Sequence, residues 1–255
     1  MKTESILQIK DTLAMIDNRD DDRIRLWQAD ERSGVQQALR QWDRRIQRHE
    51  NEIALFEEMQ QFENEARAKG HRLIVGIDEV GRGPLAGPVV AAAVILPENF
   101  KLLGVNDSKK LSAKKRDELY NEIQNQAISI GIGMVDHHKI DEINIYQASK
   151  MAMGIALEDL CFVPDYLLID AMTLDVNIPQ ESIIKGDARS ISIAAASIVA
   201  KVIRDRMMEN YAKTYPGYGF ENNAGYGTKE HLLGLERQGI CEIHRKTFAP
   251  IKNMY

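Results

Sequence analysis

Gly76-Ile77-Asp78-Glu79-Val80-Gly81-Arg82-Gly83-Pro84-Leu85-Ala86-Gly87-Pro88 is the most informative stretch of this 255-residue chain. An apolar run, Leu73 to Ile77, enters it, and a second run, Pro88 to Leu96, leaves it. Two β-rich runs around a Gly/Pro turn predict a hairpin. Gly81, Gly83 and Ala86 also match the GxGxxA form of a dinucleotide fingerprint, but that motif needs a helix starting in the loop, its N-terminus on the pyrophosphate. Pro84 and Pro88 interrupt such a helix, and a β-like run follows. Asp78 and Glu79 would moreover repel phosphate unless a cation intervened. An acidic pair at a strand end beside a glycine loop suits hard divalent cations such as Mg²⁺ or Mn²⁺, which take oxygen ligands.

Two further acids fit that chemistry. Asp170 ends the short apolar run Tyr166-Leu167-Leu168-Ile169, and Asp187 lies in Lys185-Gly186-Asp187, just before a long helical stretch. Acids at strand ends can converge above one edge of a sheet and hold two ions about 4 Å apart, an arrangement suited to in-line attack of water on a phosphodiester. One condition attaches: neighbouring strand residues face opposite ways, so Asp78 and Glu79 both reach a site only if the strand ends at Glu79. Each acid also has a plainer reading, Asp187 as a helix-start acid and Asp170 as a strand terminator. Spacing alone therefore leads to a metal-dependent phosphoryl-transfer enzyme.

Further out, the texture changes near Gly70. The segment before it holds one glycine, Gly34, and no proline. Ile6, Ile9, Leu13 and Ile16 predict a short first helix, and after an acidic break at Asp20 to Asp22, Val35, Leu39, Trp42, Ile46, Ile53 and Phe56 predict one long amphipathic helix to about Ala68. Arg40, Arg44 and Arg48 form an i, i+4 row on another face, fit either for solvent or for phosphates. Beyond residue 70, helices are expected over Ser108 to Gln126, Tyr146 to Leu160, Ser190 to Tyr211 and Lys229 to Gln238, with strands at Ile128 to Met134 and Tyr166 to Ile169. The expected class is α/β, a mixed sheet covered by helices behind an α-helical extension, with domains 1–70 and 71–255.

Net charge is −5, yet from Ser182 onward eleven Lys and Arg face seven Asp and Glu, a local +4 suited to nucleic-acid backbone contacts. No run approaches the roughly 18 apolar residues of a membrane helix, and the charged start predicts no secretory signal. Cys161 and Cys241, far apart, point to a reducing compartment and a cytoplasmic protein.

Seven motifs, in order, resemble type 2 ribonuclease H, most nearly bacterial ribonuclease HII: Gly76 to Pro88, Asn106 to Ser112, Leu168 to Asp170, Lys185 to Asp187, Ile193 to Lys201, Tyr215 to Phe220 and Gly225 to His231. The first 70 residues resemble the helical extension of some bacterial members. The resemblance implies a ribonuclease H-like fold and a monomer. It also implies that Asp78, Glu79, Asp170 and Asp187 are catalytic ligands of two Mn²⁺ or Mg²⁺ ions. The products would carry 5′-phosphate and 3′-hydroxyl ends. Gly81, Arg82 and Gly83 would sense the ribose 2′-OH, and Tyr226 would stack on the sugar of the following deoxynucleotide. The substrates implied are RNA/DNA hybrids and duplex DNA carrying ribonucleotides, and the role is ribonucleotide removal from DNA.

Of Lys109 and Lys110, one is expected at the nucleic-acid backbone; Lys109 is the residue assigned. Ala194 to Ala196 fit close helix packing without chemistry. His137, His138, His231 and His244 lack zinc spacing. His244-Arg245 supports the site, binds phosphate or has a purely structural role. The rival readings are a metal-dependent exonuclease on a related fold and a hybrid-binding module without catalysis.

Overall fold

A computed structural model describes residues 4–254. The chain divides into two compact units, one up to Glu57 and one from Glu58 onward.

In the first unit, α1 (Ile6–Met15) starts at Ser5 through a capping box with Gln8. The triple aspartate is where a helix begins: Asp21 caps Arg23 N–H, and α2 runs Asp22–Gln28. These helices and α3 (Ser33–Met59) enclose Ile9, Leu13, Ile16, Ile24, Trp27, Val35, Leu39, Trp42 and Ile46. Trp42 Nε1 donates to Ile16 O at 2.7 Å, so the indole is buried with its polar atom satisfied. The expected single helix to Ala68 is two: α3 stops at Met59, and α4 (Gln61–Ala68) restarts after Gln60.

The second unit is built on a five-stranded sheet of order β3-β2-β1-β4-β5. Its strands are β1 (Ile74–Val80), β2 (Val89–Ile95), β3 (Ser129–Val135), β4 (Tyr166–Asp170) and β5 (Gln180–Ile183). β1–β2 and β2–β3 are antiparallel, whereas β1–β4 and β4–β5 are parallel. The expected hairpin is thus present, and the fold is the expected mixed sheet flanked by helices. β5 was not foreseen. Of the remaining helices, α5 (Ala113–Gln126) follows a 3-10 turn at Ser108–Lys110. α6 (His137–Glu158) begins earlier than its periodicity suggests and is interrupted at Asn144 (φ 68°), whose Oδ1 caps Tyr146 and Gln147 N–H.

β2 is buried at every position because both sheet faces are covered. One face carries Val75, Ile77, Ala91 and Ala93 against Ala148, Ala152 and Ala156 of α6. α7 (Ile191–Thr214) lies on the other, so close that a Cβ at Gly76 would stand 2.1 Å from the Ser192 backbone. Ala194, Ala195 and Ala196 are wholly buried there, as their size suggested. A short α8 (Phe220–Asn223) and α9 (Lys229–Gln238) close the unit. Glu63 of α4 is buried at the start of α7, accepting from Ser190 Oγ (2.6 Å) and Ser192 N–H (3.0 Å).

Candidate active site

The parallel ladder between β1 and β4 ends at Ile77↔Ile169, so the next residues, Asp78 and Asp170, come off neighbouring strands side by side. Both share the face of Gly76 and Leu168, toward α7, because strand side chains alternate. Asp170 Oδ1 accepts Gly186 N–H at 2.6 Å, which ties it to the 3-10 turn Gly186–Ala188 carrying Asp187. A Cβ at Gly186 would lie 2.6 Å from Ile193 Cδ1 and 3.3 Å from Asp170 Oδ1, so glycine is what lets that turn approach. Lys109 Nζ stands 3.6 Å from Asp187 Oδ2. Ser108 Oγ and Ser197 Oγ of α7 are 2.9 Å apart beneath Asp78.

The condition placed on Glu79 is not met: β1 stays paired through Glu79↔Ala91 and Val80↔Val90. Glu79 reaches the group in another way. Beyond Ile77 the β4 side of β1 is unpaired, and Glu79 feels the charge of Asp170 there while Arg82 Nη1 lies 3.3 Å from its Oε1.

Electrostatically the site is under-compensated. Burial first, then the charges of Glu79 and Asp170, push the Asp78 carboxyl well above the usual carboxylate range, against the Ser197 hydroxyl. Glu79 is raised by burial, with Arg82 opposing and Asp170 adding to the rise. Asp187 is raised by burial and by Asp107, against Lys109. Burial would lower the Lys109 ammonium, but the summed attraction of Asp187, Asp78, Asp107 and Asp170 raises it. Glu79 Oε2 is buried without a partner. An all-oxygen donor set, mutual repulsion and an orphan carboxylate oxygen fit a hard divalent cation. Among the described residues, however, no three His, Cys, Asp or Glu side chains already stand close enough to hold an ion. The acids are gathered rather than converged.

Beside them lies the Gly-Arg-Gly loop. Gly81 has φ +95°, and a Cβ there would fall 2.2 Å from Arg204 Nε and 2.8 Å from Pro88 O. A Cβ at Gly83 would stand 3.4 Å from Tyr226 Cε1, so the half-exposed tyrosine ring borders the loop. Arg204 and Arg245 are fully buried and have no carboxylate partner within hydrogen-bond reach. Arg204 donates to Pro88 O (2.9 Å), Ala86 O (3.2 Å) and Ala224 O (2.8 Å). Arg245 donates to Gly87 O (2.9 Å), Arg82 O (3.0 Å) and Gly81 O (2.6 Å). Burial lowers the two guanidinium pKa values to about 10 and about 9, respectively. Of the three readings of His244-Arg245, phosphate binding fits least, since Arg245 is spent on loop carbonyls. Arg204 sits within an apolar helical run and gave no sequence signal.

The structure therefore brings Asp78, Glu79, Asp170, Asp187 and Lys109 together and sets Gly81, Arg82, Gly83 and Tyr226 beside them. Lys110 is exposed, and the ion pair with Asp187 is made by Lys109. His231 and His244 meet in the interior (Nε2–Nε2 3.0 Å), while the His137 and His138 rings lie 4.0 Å apart at a tilt of 40°.

The ribonuclease HII family profile matches residues 75–251, and the ribonuclease HII N-terminal domain profile matches residues 5–67. Ribonuclease HII of Enterococcus faecalis is 68% identical over 254 residues, covering 100% of both chains. Among solved structures, ribonuclease H2 of Pyrococcus horikoshii superposes with a TM-score of 0.61 at 25% identity, covering 71% of this chain and 96% of that one. Bst-RNase HIII in complex with Mn²⁺ shares the fold, with a TM-score of 0.53 at 20% identity over 74% of this chain and 71% of that one.

Proposed function

Because the chain belongs to the ribonuclease HII family, whose members are ribonuclease H endonucleases, we propose that it hydrolyses the RNA strand of RNA/DNA hybrids and also cuts 5′ to ribonucleotides embedded in duplex DNA. The ends left are 5′-phosphate and 3′-hydroxyl. Asp78, Glu79, Asp170 and Asp187 are the catalytic acids and would hold two divalent ions, Mn²⁺ or Mg²⁺. The observation that carries this reading is the gathered, mutually repelling set of acids with the unpartnered Glu79 Oε2. The Mn²⁺ bound by Bst-RNase HIII, a protein of like fold, agrees with it.

Divalent ions bound there would supply an acidified water and counter-charge for the scissile phosphodiester. The protein's own groups do the rest. Lys109, beside Asp187, receives a backbone phosphate. Gly81, Arg82 and Gly83 bring backbone close to the ribose 2′-OH, where a side chain would stand in the way. Tyr226 stacks on the sugar of the deoxynucleotide that follows. The role is ribonucleotide removal from DNA, by a monomer acting in the cytoplasm, as two free cysteines suggest. No helix among the described residues is long and apolar enough to cross a membrane.

Residues 1–70 form a helical extension that aids hybrid binding, and residues 71–255 form the catalytic domain. Arg40, Arg44 and Arg48 are exposed along one face of α3. Changing all three to Gln should weaken hybrid binding and its salt dependence more than it slows single-turnover cleavage; unchanged binding with a slower chemical step would contradict this. For the reaction itself, product lengths from an end-labelled RNA/DNA hybrid are the test. Internal cuts that vanish in chelator are expected. Stepwise shortening from an end would favour an exonuclease, and binding without cleavage would favour a hybrid-binding module.

A further inference from the structure

His244 and Arg245 are neighbours in sequence, both buried, and they reach opposite sides of the recognition region. His244 bridges Ala86 in antiparallel fashion. Arg245 N–H donates to Leu85 O (2.8 Å), Gly87 N–H to Ile243 O (2.9 Å) and Leu85 N–H to Gly225 O (2.8 Å), which stitches three segments edge to edge. From this seam the Arg245 guanidinium grips Gly81 O and Arg82 O.

The His244 ring reaches the other way. His231 Nδ1 lies 2.9 Å from Tyr226 O, which can only accept, so a neutral His231 carries its proton there and its Nε2 accepts from His244 Nε2, 3.0 Å away. His244 Nδ1 is then the acceptor for Cys241 N–H at 2.9 Å, with Cys241 Sγ (3.1 Å) and O (3.2 Å) also beside it. Every nitrogen along this path then has one role, and the path ends on the backbone carbonyl of the tyrosine. Both histidines are buried. Gly83 and the Tyr226 ring face each other between the two anchored carbonyl sets.

We infer that His244 and Arg245 are positioning residues that set the spacing between the Gly-Arg-Gly loop and the Tyr226 ring. They thereby set the enzyme's preference for a ribonucleotide followed by a deoxynucleotide. This rests on the function proposed above. A single embedded ribonucleotide needs the loop and the ring at once, at a fixed separation. A continuous hybrid offers ribose at every step and depends less on the ring. Loosening either anchor should therefore hurt the junction substrate more than the hybrid.

The test is a double-mutant cycle. kcat/KM is measured for wild type, Arg245→Lys, Tyr226→Ala and the double variant on both substrates. One is a DNA duplex with one ribonucleotide and the other a uniform RNA/DNA hybrid. Arg245→Lys should lower the junction-to-hybrid ratio about tenfold, and that loss should disappear in the Tyr226→Ala background. His244→Gln, which leaves the guanidinium in place, should behave likewise, so a misfolded Arg245→Lys would not spare the inference. Equal losses on both substrates, additive with Tyr226→Ala, would overturn it. A wild type that cuts neither substrate would overturn the functional reading beneath it instead.

Discussion

Four carboxylates gather where β1 outruns β4, and the guanidiniums of Arg204 and Arg245, from distant parts of the sequence, lie against the carbonyls of Gly81 to Pro88 that follow β1. Both groups are charged and both are largely buried, yet they are completed to different degrees. Each arginine spends three N–H groups on backbone carbonyls. The acids repel one another, have Lys109 and Arg82 as flanking cations, and leave Glu79 Oε2 without a partner. Buried charge normally costs stability unless it is paired or hydrogen-bonded. The arginine side meets that requirement within the protein, and so it is suited to hold a shape. The acid side does not, and so it is suited to take up a cation.

The largest expected stability effect is on the arginine side. Gly81→Ala puts a Cβ into Arg204 at φ +95°, and it should cost about 3 kcal/mol. Gly83→Ala, whose Cβ meets only the tyrosine ring at 3.4 Å, should cost under about 0.5 kcal/mol. Urea unfolding of both variants checks this, and equal costs would mean that the loop is not held as described.

Glu63 is another buried acid, whose Oε1 has two donors while its Oε2, like that of Glu79, has none. Glu63→Ala strands the Ser190 hydroxyl and the Ser192 N–H and should cost about 2 kcal/mol, whereas Glu63→Gln keeps an acceptor and should cost less than half as much. Similar losses in the two variants would show that the hydrogen bonds are not what matters.

On the acid side the sign should reverse. In chelator, Asp78→Asn removes a repelled buried charge and should raise Tm by about 2–4 °C. With saturating Mn²⁺ the wild type should regain the lead through ligand linkage. A lower Tm in chelator would contradict the claim that the acids are under-compensated.

The smallest effect is a pH slope. Burial, and then His231, lower the His244 pKa to about 4 from its ordinary 6.5, and burial lowers His231 as well. Between those values the unfolded chain binds more protons. The stability contributed by the neutral pair is therefore complete above about pH 6.5 and is lost as pH falls toward 4. Tm should fall more steeply over that window in wild type than in His244→Gln; parallel curves would sink the neutral relay.

The acids were legible in the sequence because an acid ending an apolar run has few structural uses: Asp78-Glu79 and Asp170 end such runs, and Asp187 falls in a turn beside a glycine. The hairpin was legible for a similar reason, since prolines excluded the helix a nucleotide loop requires. Arg204 and Glu63 were not, and Arg245 was noticed without its partners. The groups they hold lie up to 164 residues away, and no local pattern encodes such a contact. β5 escaped because Gln180-Glu181-Ser182-Ile183 is short and polar at an edge. The stop at Met59 escaped because neither glycine nor proline marks it. The strand passing Glu79 shows where period-two reasoning falls short: a neighbouring strand that ends early frees a side chain that alternation alone would turn away.

The central claim is that the gathered acids catalyse metal-dependent cutting at ribonucleotides. Single-turnover cleavage of an end-labelled DNA duplex carrying one internal ribonucleotide tests it most directly, comparing wild type with Asp78→Asn in Mg²⁺, Mn²⁺ and chelator. The account predicts one cut 5′ to the ribonucleotide, present with either metal, absent in chelator and reduced roughly a thousandfold or more in the variant. Cleavage that survives chelator, or that Asp78→Asn leaves intact, would contradict it.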